Sequence, residues 1–137
     1  MDKPAPPRSQ ITFLYYRDLH RARSFYEDLL GLELVVDQGW ARIYRVADAA
    51  FLGLVDESKG SRRARPDSAV LVTLVVDDVR AWRDHLRAQG VAIVRDLAVD
   101  ERIAVETCFV EDPGGYLIEL QRFMNPADAT VFGLTSR

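Results

Sequence analysis

The apolar positions of the chain fall into two successive runs with the same order. Ile11-Thr12-Phe13-Leu14-Tyr15-Tyr16 is β-branched, aromatic and unbroken until Arg17-Asp18, which predicts a strand. Asp18 then stands before Leu19, Ala22, Phe25, Tyr26, Leu29 and Leu30. That three- and four-residue spacing makes one helical stripe, with Asp18 as N-cap and Gly31 as the stop. Three strand-like runs follow at 32–36, 40–46 and 50–55, divided by Gln38-Gly39 and Ala47-Asp48. The predicted order is β-α-β-β-β.

The order then repeats. Residues 70–76 form a second apolar strand, Asp77-Asp78 a second cap, and Val79, Trp82, His85, Leu86 and Gln89 a second helical stripe that stops at Gly90. Strand-like runs follow at 91–94, 103–110 and 116–121, the last two joined by Asp112-Pro113-Gly114-Gly115, whose glycines suit a tight hairpin turn. A shift of 60 positions carries Asp78 onto Asp18 and Val79 onto Leu19, and Gly90 onto Gly31 with a one-residue gap. Such a period marks an internal duplication. The predicted organisation is a flexible N-terminal segment at 1–10, a first module at 11–57, a linker loop at 58–68, a second module at 69–122, and a tail at 123–137. The tail's Phe123, Met124, Val131, Phe132 and Leu134 are expected to pack on the body or on a partner subunit. The linker, with Arg62, Arg63 and Arg65, reads as a solvated connection, or as a basic lid over an anionic ligand.

Composition narrows the classes. Of 137 residues 48% are apolar and 28% charged, enough for a packed core, which excludes a disordered, collagen-like or membrane-spanning chain. The 18 Lys and Arg against 21 Asp and Glu leave a net charge of −3, so no nucleic-acid partner is expected. The single Cys108 rules out an intramolecular disulfide and fits a reducing cytoplasm; it reads as a small buried residue. The first ten residues hold Pro4, Pro6 and Pro7 and no apolar run, so neither a signal peptide nor a membrane anchor is expected there. No glycine-rich phosphate loop, GxSxG, HExxH or CxxC occurs.

Tyr16-Arg17-Asp18-Leu19, Ser24-Phe25-Tyr26 and Leu30-Gly31-Leu32 in the first half, with Val76-Asp77-Asp78-Val79 and the closing run from Phe109 through Asp112-Pro113-Gly114-Gly115 to Ile118-Glu119-Leu120, resemble the vicinal oxygen chelate superfamily. That superfamily includes glyoxalase I, extradiol dioxygenases, and fosfomycin and bleomycin resistance proteins. The resemblance covers residues 11 to 121. It implies an α+β fold in which two βαβββ modules form a curled mixed-sheet cup, with helices packed outside. Active members mostly hold a divalent metal through side chains on the first strand of each module and on the last strand. Carried over by position, those sites are Ile11, Leu71 and Glu119, and the first-module equivalent of Glu119 is Gly53. Only Glu119 carries a donor, whereas a divalent ion is held by about three protein ligands. His20 reads as solvent-facing by a helix start and His85 as a half-buried imidazole under the sheet, so neither restores the set. No metal and no other cofactor is expected.

With Glu119 facing into such a cup, strand alternation turns Leu117 and Gln121 inward, together with Ile11, Phe13 and Tyr15, Phe51, Gly53 and Val55, and Leu71, Thr73 and Val75. The candidate ligand-binding residues are Glu119, Phe13, Tyr15, Trp40, Tyr44, Phe51, Thr73 and Gln121, with Trp40 and Tyr44 as aromatic platforms whose faces the pattern leaves open. Trp82 is expected in the core. A carboxylate among alkyl groups needs compensation, from Tyr15, Thr73 or Gln121, from water, or from a cationic group on a ligand. No catalytic residue is assigned; Glu119 as a general base would have Tyr15 as its partner acid. The functional expectation is a metal-independent, homodimeric, cytoplasmic protein that binds a small organic ligand, as drug-sequestering resistance proteins do, without nucleic acid or membrane as partner. The alternative is a metal-dependent lyase, isomerase or dioxygenase with a non-standard ligand set that includes Glu119. A third reading, a dimerisation module, predicts a cup filled by its own side chains.

Overall fold

A computed structural model describes residues 3–65 and 67–134. The parts of the predicted segments that fall on residues 1–2, 66 and 135–137 lie outside the described residues. The chain divides into two compact units, Met1–Arg65 and Pro66–Arg137. Each contains one four-stranded sheet. In the first, β1 (Gln10–Tyr16), β2 (Glu33–Asp37), β3 (Ala41–Ala47) and β4 (Ala50–Asp56) lie in the order β1-β4-β3-β2. In the second, β5 (Leu71–Val75), β6 (Ile93–Asp100), β7 (Val105–Glu111) and β8 (Leu117–Phe123) lie in the order β5-β8-β7-β6. The outer pairs β1–β4 and β5–β8 are parallel and all other neighbours antiparallel. The two units therefore repeat one topology.

Each parallel pair needs a long connection, and its first element is a helix capped as the sequence predicts. α1 (Leu19–Ser24) starts where the Asp18 carboxylate accepts the Arg21 backbone N–H at 3.1 Å, and α2 (Val79–Ala88) where Asp78 accepts that of Ala81 at 3.0 Å. Gly31 and Gly90 end the two helical segments with φ of +68° and +84°, a region glycine enters without strain. The first helix departs from expectation after Ser24, where Phe25–Leu29 widens into a π turn and the Leu30 N–H reaches the Phe25 carbonyl at 3.0 Å.

The helix side of each sheet is the core. In the first unit Leu14, Tyr16, Tyr44, Leu52 and Leu54 are buried with Ala22, Phe25 and Tyr26 of the helical segment. Here the sequence reading of Tyr44 as a ligand platform is corrected. Its ring is fully buried and stacks on Tyr26, and its hydroxyl donates to Glu27 at 2.7 Å, on the face opposite Phe51 and Gly53. In the second unit Val72, Cys108, Val110, Ile118 and Leu120 are buried with Val79 and Leu86 of α2. The face of α2 against the sheet keeps Val79 and Leu86 of the predicted stripe and adds Arg83 beside them. Arg83 is largely covered and bridges to Asp96 of β6 at 2.6 Å. Trp82 is half-buried instead of core, and His85 is exposed, edge-on to the Trp82 ring at 5.6 Å, instead of lying under the sheet.

Two further segments were not resolved by pattern alone. β6 extends to Asp100 instead of stopping at Val94, because register shifts between Ile93, Arg95 and Ala98 break the alternation. The tail forms α3 (Pro126–Val131), capped by Asn125, and Phe132 stacks on Phe123 of β8 at 4.5 Å. Among the described residues no helix is long and apolar enough to cross a membrane.

The Tyr44–Glu27 bond gives a pH signature. Tyr44 and then Arg23 hold the Glu27 carboxyl below its ordinary range. The stabilisation is thus complete above the unfolded carboxylate pKa and lost as pH falls through the folded one. Chemical denaturation is expected to show Glu27→Gln less stable than wild type by about 1.5 kcal/mol near neutrality, with the gap closing below about pH 4. A gap that stays constant into acid would contradict this role.

Candidate functional site

The parallel register fixes which residues share the face turned away from the helices. In the first unit Phe13 pairs with Gly53 and Ile11 with Phe51, and β3 continues the first row with Ile43. Phe13 and Ile11 are exposed, and the Phe13 ring lies directly on Gly53, where any Cβ would overlap it. A side chain at 53 would therefore have to displace the Phe13 ring, which takes the space that a carboxylate at that position would occupy. Residues 57–65 fold back on the same face. Gly60 approaches Val55 and Tyr15, the Tyr15 and Ser61 hydroxyls are 3.1 Å apart, and Glu57 accepts the Ala64 N–H at 3.1 Å. Arg63 donates to the Glu57 carbonyl at 2.6 Å, while Arg62 and Arg65 are exposed. Trp40 is exposed just before β3.

In the second unit the equivalent row runs Thr73 of β5, Glu119 of β8, Phe109 of β7 and Arg95 of β6. Ile11 stands two residues before the partner of Gly53, and Leu71 stands two before the partner of Glu119, so the offset is identical in both units. The register therefore makes Ile11 and Leu71 equivalent, and Gly53 and Glu119 equivalent. Ile11 and Leu71 end in alkyl groups, Gly53 has no side chain, and among the described residues no three His, Cys, Asp or Glu side chains cluster as metal ligands do.

Glu119 is 8% exposed, and its Oε1 accepts the Thr73 hydroxyl at 2.6 Å. Thr73, one of the three donors the sequence offered for this carboxylate, is paired with it. Glu119 opens onto a cavity of about 550 Å³ in the second unit, lined also by Gln121, Thr107, Phe109 and Arg95. Its rim is the end of β6 and the following turn, where Arg102 pairs with Asp100 at 2.9 Å and Ile103 is exposed. Arg95 lies over the Phe109 ring, its guanidinium carbon 5.0 Å from the ring centre. The sequence pattern missed Arg95 because the alternation fails at the bulges that carry it. Cys108 is buried on the helix side, where desolvation pushes its thiol upward, an inert setting.

Comparison with known proteins places this geometry. The sequence profile of the Glyoxalase/Bleomycin resistance protein/Dioxygenase superfamily matches residues 9–120. A lactoylglutathione lyase of Haemophilus influenzae is 31% identical over 120 residues, covering 79% of this chain and 87% of that protein. A probable lactoylglutathione lyase of Vibrio parahaemolyticus is 28% identical over 121 residues, 80% of this chain and 86% of the other. Among solved structures, a lactoylglutathione lyase from Agrobacterium tumefaciens superposes with a TM-score of 0.69 at 23% identity, covering 86% of this chain and 96% of its own. A glyoxalase/bleomycin resistance protein/dioxygenase from Nocardioides superposes with a TM-score of 0.71 at 17% identity, covering 91% and 88%.

The Phe13–Gly53 contact is testable alone. Gly53→Ala is expected to push the ring off the sheet and to destabilise by about 1–2 kcal/mol. Most of that cost should vanish when Phe13→Ala is added, a coupling that a double-mutant denaturation cycle measures. Additive losses would show that the ring does not dictate the glycine.

Proposed function

Because the chain belongs to the glyoxalase/bleomycin resistance protein/dioxygenase superfamily, we propose that it binds a small organic molecule without a metal, through the cavity of the second unit and with Glu119 as the anchor. The single observation that carries this reading is the donor set at the positions made equivalent by register. Ile11, Gly53 and Leu71 offer no lone pair, and Glu119 alone offers one. A divalent ion held by about three protein ligands does not fit that set. Glu119 fits an organic guest instead. A carboxylate removed from most water is stabilised by each hydrogen bond it accepts, and Thr73 supplies one on Oε1. A ligand N–H or cationic group would supply the next.

Gln121 lines the same cavity and offers an amide for orientation. Phe13, Tyr15 and Phe51 belong to the non-helix face of the first unit, with Trp40 exposed just before its third strand; we propose that face, taken by itself, as a further apolar surface for organic ligands. The protein works in this reading as a cytoplasmic homodimer and as a sequestering protein.

A second reading is favoured by the lactoylglutathione lyase relatives at 28 to 31% identity: a lyase whose metal sits on an unusual ligand set that includes Glu119. Two measurements separate the readings. Equilibrium dialysis against a panel of planar organic cations is expected to show binding by the wild type and about tenfold weaker binding by Glu119→Gln; equal binding by both would remove Glu119 from the site. Elemental analysis of freshly purified protein is expected to find no stoichiometric divalent ion. A stoichiometric ion that disappears in Glu119→Ala would establish the lyase reading.

A further inference from the structure

The cavity holds a second charged group that the Glu119 reading leaves unused. Arg95 is exposed to it and rests on the Phe109 ring. Its carboxylate neighbours are engaged elsewhere. Asp96 is taken by Arg83 and Arg87 of α2, at 2.6 and 2.9 Å, and Asp100 by Arg102 at 2.9 Å. Glu101 lies on the exposed turn at the rim. Among the described residues Arg95 forms neither an ion pair nor a hydrogen bond with a side chain, so its guanidinium fork remains open.

Arg95 and Glu119 stand two strands apart in one cross-strand row, with Phe109 between them. Neighbouring strands are separated by about 4.8 Å, so the two backbones are about 10 Å apart, and the Phe109 ring forms the apolar floor between the two poles. A planar guanidinium already oriented by an aromatic face presents parallel N–H donors suited to a carboxylate, and loses little freedom on binding one. A ligand with only a cationic or N–H group would satisfy Glu119 and leave that fork in water.

We infer that the second-unit cavity is selective for small amphoteric molecules, in which a flat apolar body carries a carboxylate at one end and an amine or other N–H donor at the other. The carboxylate pairs with Arg95, the body lies on Phe109, and the donor reaches Glu119. This rests on the proposed role of Glu119 as anchor, and the test separates the two claims.

Four aromatic probes titrated into the full chain, followed by two-dimensional NMR, decide it: benzylamine, phenylacetate, 4-(aminomethyl)benzoate and phenyl phosphate. The bifunctional 4-(aminomethyl)benzoate is expected to bind about tenfold tighter than benzylamine or phenylacetate. Arg95→Gln is expected to weaken it by about tenfold, to weaken phenylacetate likewise, and to leave benzylamine unchanged, with Arg95→Lys intermediate because charge survives and the fork does not. Arg95 is exposed, so its variants should retain the fold, which the dispersion of the same spectra checks. Unchanged affinity of both carboxylates for Arg95→Gln would overturn the inference while leaving Glu119 in place. Tighter binding of phenyl phosphate than of phenylacetate would overturn the carboxylate assignment. Benzylamine binding that survives Glu119→Gln would instead remove the anchor on which the inference rests.

Discussion

The parallel pairing of the first and last strand of each unit is the constraint from which the site follows. Parallel neighbours need a long crossover, and here its helical segment covers one face of the sheet with Ala22, Phe25 and Tyr26 in one unit and with Val79 and Leu86 in the other. Once that face is committed to the core, the period of two along a strand sends every alternate residue to the opposite face. The register of β8 against β5 then places Glu119 beside Thr73, and the hydroxyl meets the carboxylate without any loop being involved. A one-residue slip would put Ile118 or Leu120 there and Glu119 into the helix packing, so the register is guarded by the whole apolar face.

The duplication makes the divergence of the two units readable. Equivalent rows run Phe13, Gly53, Ile43 and Val36 in the first unit and Thr73, Glu119, Phe109 and Arg95 in the second. One row is hydrocarbon throughout. The other carries a hydroxyl, a carboxylate, a ring and a guanidinium in succession. Phe13 lies over Gly53 at the centre of the first row, whereas Thr73, smaller and a donor, leaves room for the Glu119 carboxylate and bonds it.

Features set by local chemistry were legible from the chain. Asp18 and Asp78 cap helices because an acceptor is needed there, and Gly31 and Gly90 end them because a positive φ is needed there. The alternation of Ile118 and Leu120 with Glu119 was enough to orient β8. Features set by tertiary context were not. Tyr44 follows a turn at Gly39 and carries a hydroxyl, so its pattern suits either face; only the approach of Tyr26 and Glu27 commits it to the core. Arg83 looks like a surface residue until Asp96 appears on the strand beneath it, where their ion pair gives the guanidinium a place beside Val79 and Leu86. Arg95 escaped notice because bulges, by design, erase the periodicity by which strands are recognised.

The positions occupied by Ile11 and Leu71 bear on energetics as well as on donor count. Both are large apolar side chains left at least 40% exposed, as Phe13 is on the same face of the first unit, so hydrocarbon there remains in contact with water. An ion placed against such groups would surrender hydration to neighbours that return nothing. An organic body would gain about 25 cal/mol for each Å² of hydrocarbon covered. In the proposed organic-ligand reading, alkyl groups that oppose coordination favour contact with carbon, and within the second unit Glu119 and Arg95 would set orientation. That reading divides the labour, with affinity from apolar area and selectivity from one acid and one guanidinium, whereas in a metal-centred site the ion would supply both.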